Sequence, residues 1–103
     1  MSERGLLVHL HGRVQGVGFR YHARLKAREL GLRGWVRNRA DGSVECCICG
    51  DALPMQAMQD WLRRGPVGAS VDAVTFVPLQ ITGSLSDFSV RDVDVSHDRC
   101  DRV

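Results

Sequence analysis

The order of patterns along this chain predicts an α+β sandwich, an antiparallel sheet with two helices packed on one face. Three observations carry that expectation. Apolar residues alternate over short stretches and recur with helical period over two longer ones, in the order strand, helix, strand, strand, helix, strand, plus one short strand. Glycine, proline and Asp-Gly signals fall between these stretches. At 103 residues the chain has the length of one domain with one modest core.

Leu6 to His11 reads as the first strand, with Leu6, Val8 and Leu10 on one face and Leu7, His9 and His11 on the other. Arg20 to Leu30 reads as a helix that turns Phe19, Ala23, Ala27 and Leu30 inward, with Gly31 as its C-terminal cap. Its other face carries Arg24, Lys26 and Arg28, a solvated basic surface. Trp35 to Asn38 and Val44 to Cys49 form a hairpin about an Asp41-Gly42 turn. Pro54 suits the first turn of a second helix running to about Arg64, with Ala57, Met58, Trp61 and Leu62 inward, ended by Gly65-Pro66. A fourth strand lies within Val71 to Ile81 and a short fifth spans Phe88 to Val93. Residues 1–93 are expected to form the domain, and the mostly polar residues 94–103 a flexible tail.

A split βαβ order places the third strand between the first two. The first and second strands then run parallel, and their C-terminal ends share one edge of the sheet. Beyond the end of the first strand comes Gly12-Arg13-Val14-Gln15-Gly16-Val17-Gly18-Phe19-Arg20. A strand, a glycine turn and a helix N-terminus carrying an arginine describe a place for a phosphate group. Amides at a helix start are unpaired and the helix dipole favours an anion there. Glycines let successive amides fold around that anion. We therefore assign phosphate binding to the backbone of Gln15, Gly16, Val17, Gly18, Phe19 and Arg20. Arg20 would add a planar fork of donors. No Gly-Lys-Ser/Thr follows, so this is not a Walker loop, and the spacing is not the dinucleotide fingerprint.

The net charge of +2 permits an anionic small molecule but lacks the basic footprint usual for nucleic acid. No stretch approaches the ~18 apolar residues of a membrane span, and Met-Ser-Glu-Arg-Gly lacks a signal-peptide core, so the expected location is the cytoplasm. In that reducing compartment Cys46, Cys47, Cys49 and Cys100 are expected to be free thiols. No CxxC pair is present, so zinc-finger spacing fails.

Asn38, at the end of the second strand, should lie two strand spacings, roughly 10 Å, from the glycine loop. Its carboxamide can accept and donate but cannot act as a base near neutral pH. It can hold a water in line with phosphorus. The loop offers no Asp, Glu or Cys as acid, base or nucleophile. An alkoxide leaving group would require an acid or a metal. A carboxylate requires neither, because its conjugate acid has a pKa of about 4 to 5. That favours an acyl phosphate, hydrolysed by positioning and charge stabilisation, with a phosphate oxygen accepting the water's proton.

The run from Leu10 to Arg20 resembles the first signature of the acylphosphatase family along its whole length. Gly34-Trp35-Val36-Arg37-Asn38, then Asp41-Gly42-Ser43-Val44-Glu45 and Gly50, resemble the second, spacing included. Gly65-Pro66, Ala69, Val71, Val74 and Phe88 are similar to the family's C-terminal half. The resemblance implies a ferredoxin-like α/β sandwich and metal-free, cofactor-free hydrolysis of acyl phosphates to carboxylate and phosphate. It implies that Arg20 binds the phosphate and Asn38 orients the water. Similar domains also stand at the front of large carbamoyl-transferring maturation proteins, which adds carbamoyl phosphate to the candidate substrates. The expected partner is a small-molecule acyl phosphate, and the expected state is a monomer.

Other readings are plainer. His22 is expected on the surface, with a place at the rim of the site as the lesser reading, and Trp35 and Trp61 in the core. His9 and His11 should share the face opposite the helices with Cys47 and Cys49, a donor set that suits zinc or copper, although an ordinary exposed sheet face is the favoured reading. The alternative function is a non-catalytic anion- or RNA-binding module. Against RNA, the third strand Val44-Glu45-Cys46-Cys47-Ile48-Cys49 has no aromatic stacking platform.

Overall fold

The computed structural model describes residues 4–80 and 87–91. The elements are β1 (Arg4–Arg13), α1 (Phe19–Glu29), β2 (Arg33–Asn38), β3 (Val44–Gly50), α2 (Ala52–Arg64), β4 (Ser70–Pro78) and β5 (Phe88–Arg91). The five strands lie in the order β4-β1-β3-β2-β5. As the pattern predicts, β3 sits between β1 and β2 and is antiparallel to both. Strands β1 to β4 keep the expected antiparallel ladders, but β5 pairs parallel to β2. The sheet is therefore mixed: β5 extends it on the far side of β2 and runs in β2's own direction. Ile81, Val93 and the tail 94–103 lie outside the described residues.

Alternation does the sorting. Val8 and Leu10 of β1, Val36 of β2, Val44, Cys46 and Ile48 of β3 and Phe88 of β5 are buried in one cluster with Phe19, Ala23 and Ala27 of α1 and Met55, Met58 and Leu62 of α2. The inward face of α1 is as read from its period. In α2 the stripe is turned slightly: Met55 is buried, while Ala57 and Trp61 are half-buried. Phe19 and Trp61 meet at 5.5 Å between ring centroids and join the two helices. Gly31 ends α1 as expected, with its N–H bonded to Arg28 O and that of Leu32 to Ala27 O, the paired bonds of a Schellman cap. Neither helix is long and apolar enough to cross a membrane.

The opposite sheet face is not the exposed surface expected of it. Trp35 and Cys47 are buried there, packed by Leu7 and Leu79. Cys47 is disulfide-bonded, which corrects the expectation of free thiols at that position. Cys46 and Cys49 are buried and keep their thiols unbridged, as expected. Burial, and then the charge of Glu45, push the Cys46 thiol far above its ordinary pKa, so it is not a nucleophile.

A candidate active site at the C-terminal ends of β1 and β2

The glycine loop is anchored in the core at both ends. The β1–β4 register shifts between His11 and Gly12, and Gly12 has φ +121°. A Cβ at Gly12 would lie 2.3 Å from Ser70 O, so only glycine lets the two backbones approach here. Val14 is fully buried and Phe19 is 2% exposed. Between them Gly16 and Gly18 stand exposed with positive φ.

Gly18 is the N-cap of α1, at φ 76° and ψ 19°. It has no side chain to cap the helix, and the first turn carries no acidic residue. The His22 amide is the first to turn back, donating to Gly18 O at 3.0 Å. The amides of Phe19, Arg20 and Tyr21 precede it and so have no intrahelical acceptor. The N-terminal end of α1 is thus left open, with donors suited to an anion. Arg20 is half-buried and, among the described residues, has no hydrogen-bond or ion-pair partner. His22 is exposed, as expected, and its Nδ1 lies 2.9 Å from Gly18 O, so it braces the cap residue from the rim.

Asn38 closes β2 opposite Val44, and Leu10 pairs with the same Val44 from the other side. Loop and asparagine therefore sit at one edge of the sheet with β3 between them, about 10 Å apart at the backbone. Asn38 Oδ1 is buried, and among the described residues no group donates to it. A buried acceptor in that condition has an unmet capacity for one hydrogen bond.

The β2–β3 turn is ordered by its own bonds. Arg39 N–H donates to Ser43 O at 2.8 Å and Gly42 N–H to Arg39 O at 3.1 Å. Asp41 Oδ1 accepts from Ser43 N at 2.9 Å and from Ser43 Oγ at 2.5 Å. The Ser43 hydroxyl and amide, with smaller help from Arg39 and His11, hold the Asp41 carboxyl below its ordinary pKa. Asp41-Gly42 is thus a turn, as read, with the carboxylate committed to it.

One contact was not visible in the sequence. The Gln15 side chain reaches from the loop to this turn, where Nε2 donates to Arg39 O at 2.7 Å and to Ser43 O at 2.8 Å. These partners lie 24 and 28 residues away. No spacing rule links such positions; the signal is only the presence of a two-donor side chain in the loop.

The set His9, His11, Cys47 and Cys49 is not assembled. The register places Cys47 beside Leu7 and Cys49 beside Gly5. His9 faces Glu45, with Nε2 and Oε2 2.7 Å apart. Among the described residues no three of His, Cys, Asp and Glu are grouped as metal ligands. A cleft of about 790 Å³, lined in part by Arg4, Met55, Gln56 and Pro78, lies at the other end of β1, away from the loop.

Residues 6–90 match the family model described as acylphosphatase. The chain belongs to the acylphosphatase family. It is 50% identical over 76 residues to the acylphosphatase of Aeromonas salmonicida, covering 74% of this chain and 84% of that one. It is 49% identical over 83 residues to the acylphosphatase of Rhizobium etli, covering 81% and 88%. Among solved structures it is similar to an acylphosphatase from Coxiella burnetii, with a TM-score of 0.82 and 40% identity over 86% of this chain and 93% of that chain.

Proposed function

We propose that this chain hydrolyses the carboxyl–phosphate bond of acyl phosphates, with Arg20 and the amides of residues 15–20 holding the phosphoryl group and Asn38 orienting the water. The observation that carries this reading is the shared edge. An open helix N-terminus whose arginine has no partner among the described residues stands across from a buried carboxamide oxygen that likewise has none there. Family membership supports the reaction class.

In the reaction the water oxygen bonds to phosphorus and the bond from phosphorus to the acyl oxygen breaks. The carboxylate leaves unprotonated, and the water's proton passes to a phosphate oxygen. Arg20 and the loop amides stabilise the charge on the equatorial oxygens. Asn38 holds the water, which removes part of the entropic barrier. The substrate is a small-molecule acyl phosphate, acted on by a cytoplasmic monomer.

The test is hydrolysis of benzoyl, acetyl and carbamoyl phosphate with EDTA present, by wild type and by Asn38→Ala. We expect turnover of at least one substrate by wild type. In Asn38→Ala we expect a loss of about a hundredfold or more in kcat with KM little changed. Wild-type protein no faster than the buffer would refute the activity, and an Asn38→Ala variant with full kcat would refute the water-holding role.

A further inference from the structure

We propose that the Gln15 side chain is a positioning residue, which sets the distance and register between the phosphate loop and Asn38. This rests on the reading of Arg20 and Asn38 as the two halves of one site.

The problem it solves is geometric. The halves stand on strands that do not touch, because β3 lies between β1 and β2. The β1–β3 and β2–β3 ladders stop at Leu10, Val44 and Asn38 on this side, while β1 runs on to Arg13 against β4 alone. Beyond those ladders no strand pairing joins the loop to the 39–43 turn. Among the described residues, the two Gln15 bonds are the only hydrogen bonds joining loop to turn.

Their form suits a spacer. Both acceptors are backbone carbonyls, so the carboxamide must present its NH₂ group, and two donors on one planar nitrogen fix its rotation as well as its position. Arg39 O belongs to the residue directly after Asn38, and Ser43 O closes the turn by accepting from Arg39 N. Gln15 therefore grips both limbs of the turn at its neck. A shift there carries Asn38 with it, and a misplacement of about 1 Å can cost on the order of a hundredfold in rate. Nor is Gln15 needed to anchor the loop. Buried Val14 and Phe19 do that, whereas Gln15 is half-buried and outside the apolar cluster.

The decisive experiment is a double-mutant cycle. Gln15→Met keeps the length and removes both donors. We expect its kcat for benzoyl phosphate to fall at least about tenfold, while the inhibition constant of inorganic phosphate stays within about threefold. In the Asn38→Ala background the same change should cost less than about twofold, because the group it positions is gone. Gln15→Glu supplies a second measurement should the first variant fold poorly. Its carboxylate cannot donate, but its protonated form can, so its rate relative to wild type should climb as pH falls toward about 4. Wild-type kcat in Gln15→Met, equal loss of phosphate binding, or full additivity with Asn38→Ala would overturn the positioning role. If Asn38→Ala itself kept full turnover, the underlying reading would fall first; if only Gln15→Met were silent, that reading would stand and this one would not.

Discussion

Arg20 and Arg37 carry the same guanidinium, and the fold treats them in opposite ways. Arg37 lies one residue before Asn38 and is 8% exposed. Its Nε donates to Glu45 Oε1 at 2.8 Å and a terminal nitrogen lies 2.6 Å from the same oxygen. His9 approaches the other carboxylate oxygen from β1. The three residues form one row across β1, β3 and β2 because the register pairs His9 with Glu45 and Glu45 with Arg37. Arg37 also stands over the Trp35 ring at 5.4 Å, as does Arg91. Arg20, at the loop, has no such company among the described residues. A buried charge fully surrounded by partners holds structure together. A charge left without a protein partner beside unpaired amides at a helix start is what the proposed phosphate site requires.

The sharpest way to break this contrast is to remove each arginine in turn. Arg20→Ala should lower kcat/KM for an acyl phosphate at least about a thousandfold, since it removes a donor used at the developing charge. Its thermal midpoint should stay within a few degrees of wild type. Arg20→Lys should recover little, because a point charge does not replace the fork. Arg37→Ala should do the reverse in kind. It leaves Glu45 buried without its cation, which costs about 3 kcal/mol in unfolding free energy, a large share of the stability of a domain this size. Denaturant titration beside steady-state kinetics separates the two. An Arg20→Ala variant that lost stability instead of activity would erase the distinction.

A smaller effect sharpens the loop side. Gly18→Ala puts a side chain where φ is 76°, a region that costs roughly 1 to 2 kcal/mol for an L-residue. The added Cβ would also lie 3.4 Å from His22 Nδ1, so the brace on the cap must give slightly. Phosphate binding should weaken several-fold as the amides tilt, read as a raised inhibition constant for inorganic phosphate.

The two regions also differ in how far they could be read before the structure. Loop, helix start and Arg20 are contiguous, so residue types and spacing place them together. Asn38 needed one further step, the split βαβ order, and that step holds because β3 does lie between β1 and β2. The polar row was not legible. Strand alternation puts His9 on one face with Cys47 and Cys49 because it gives the face but not the register. The register sets His9 against Glu45. Trp35 is buried as its residue type suggests, but the burial of Cys47 on the face opposite the helices, and its disulfide, are not legible in a pattern of two helices covering one side. The sequence places Gln15 only as loop backbone, because nothing local connects its side chain to a turn 24 residues away.

The mildest perturbation tests whether the polar row is structural in the sense claimed. Burial alone would push the Glu45 carboxyl up, but hydrogen bonds from His9 and Arg37 and the Arg37 charge outweigh it and leave its pKa below the ordinary 4.5. The folded state therefore releases this proton at lower pH than the unfolded chain does. Stability from Glu45 is fully present above about pH 5 and is lost as pH falls through 4.5 and then through the folded value. In Glu45→Gln that contribution is absent, so unfolding free energy measured from pH 6 to pH 3 should decline less steeply than in wild type. The slope should not vanish. Asp41, held down by Ser43, and Asp87, held down by the Phe88 amide and Arg28, are depressed as well and keep their own share. Equal slopes in the two proteins would mean that the His9–Glu45–Arg37 row gives the fold nothing that depends on charge. The contrast with Arg20 would then rest on packing alone.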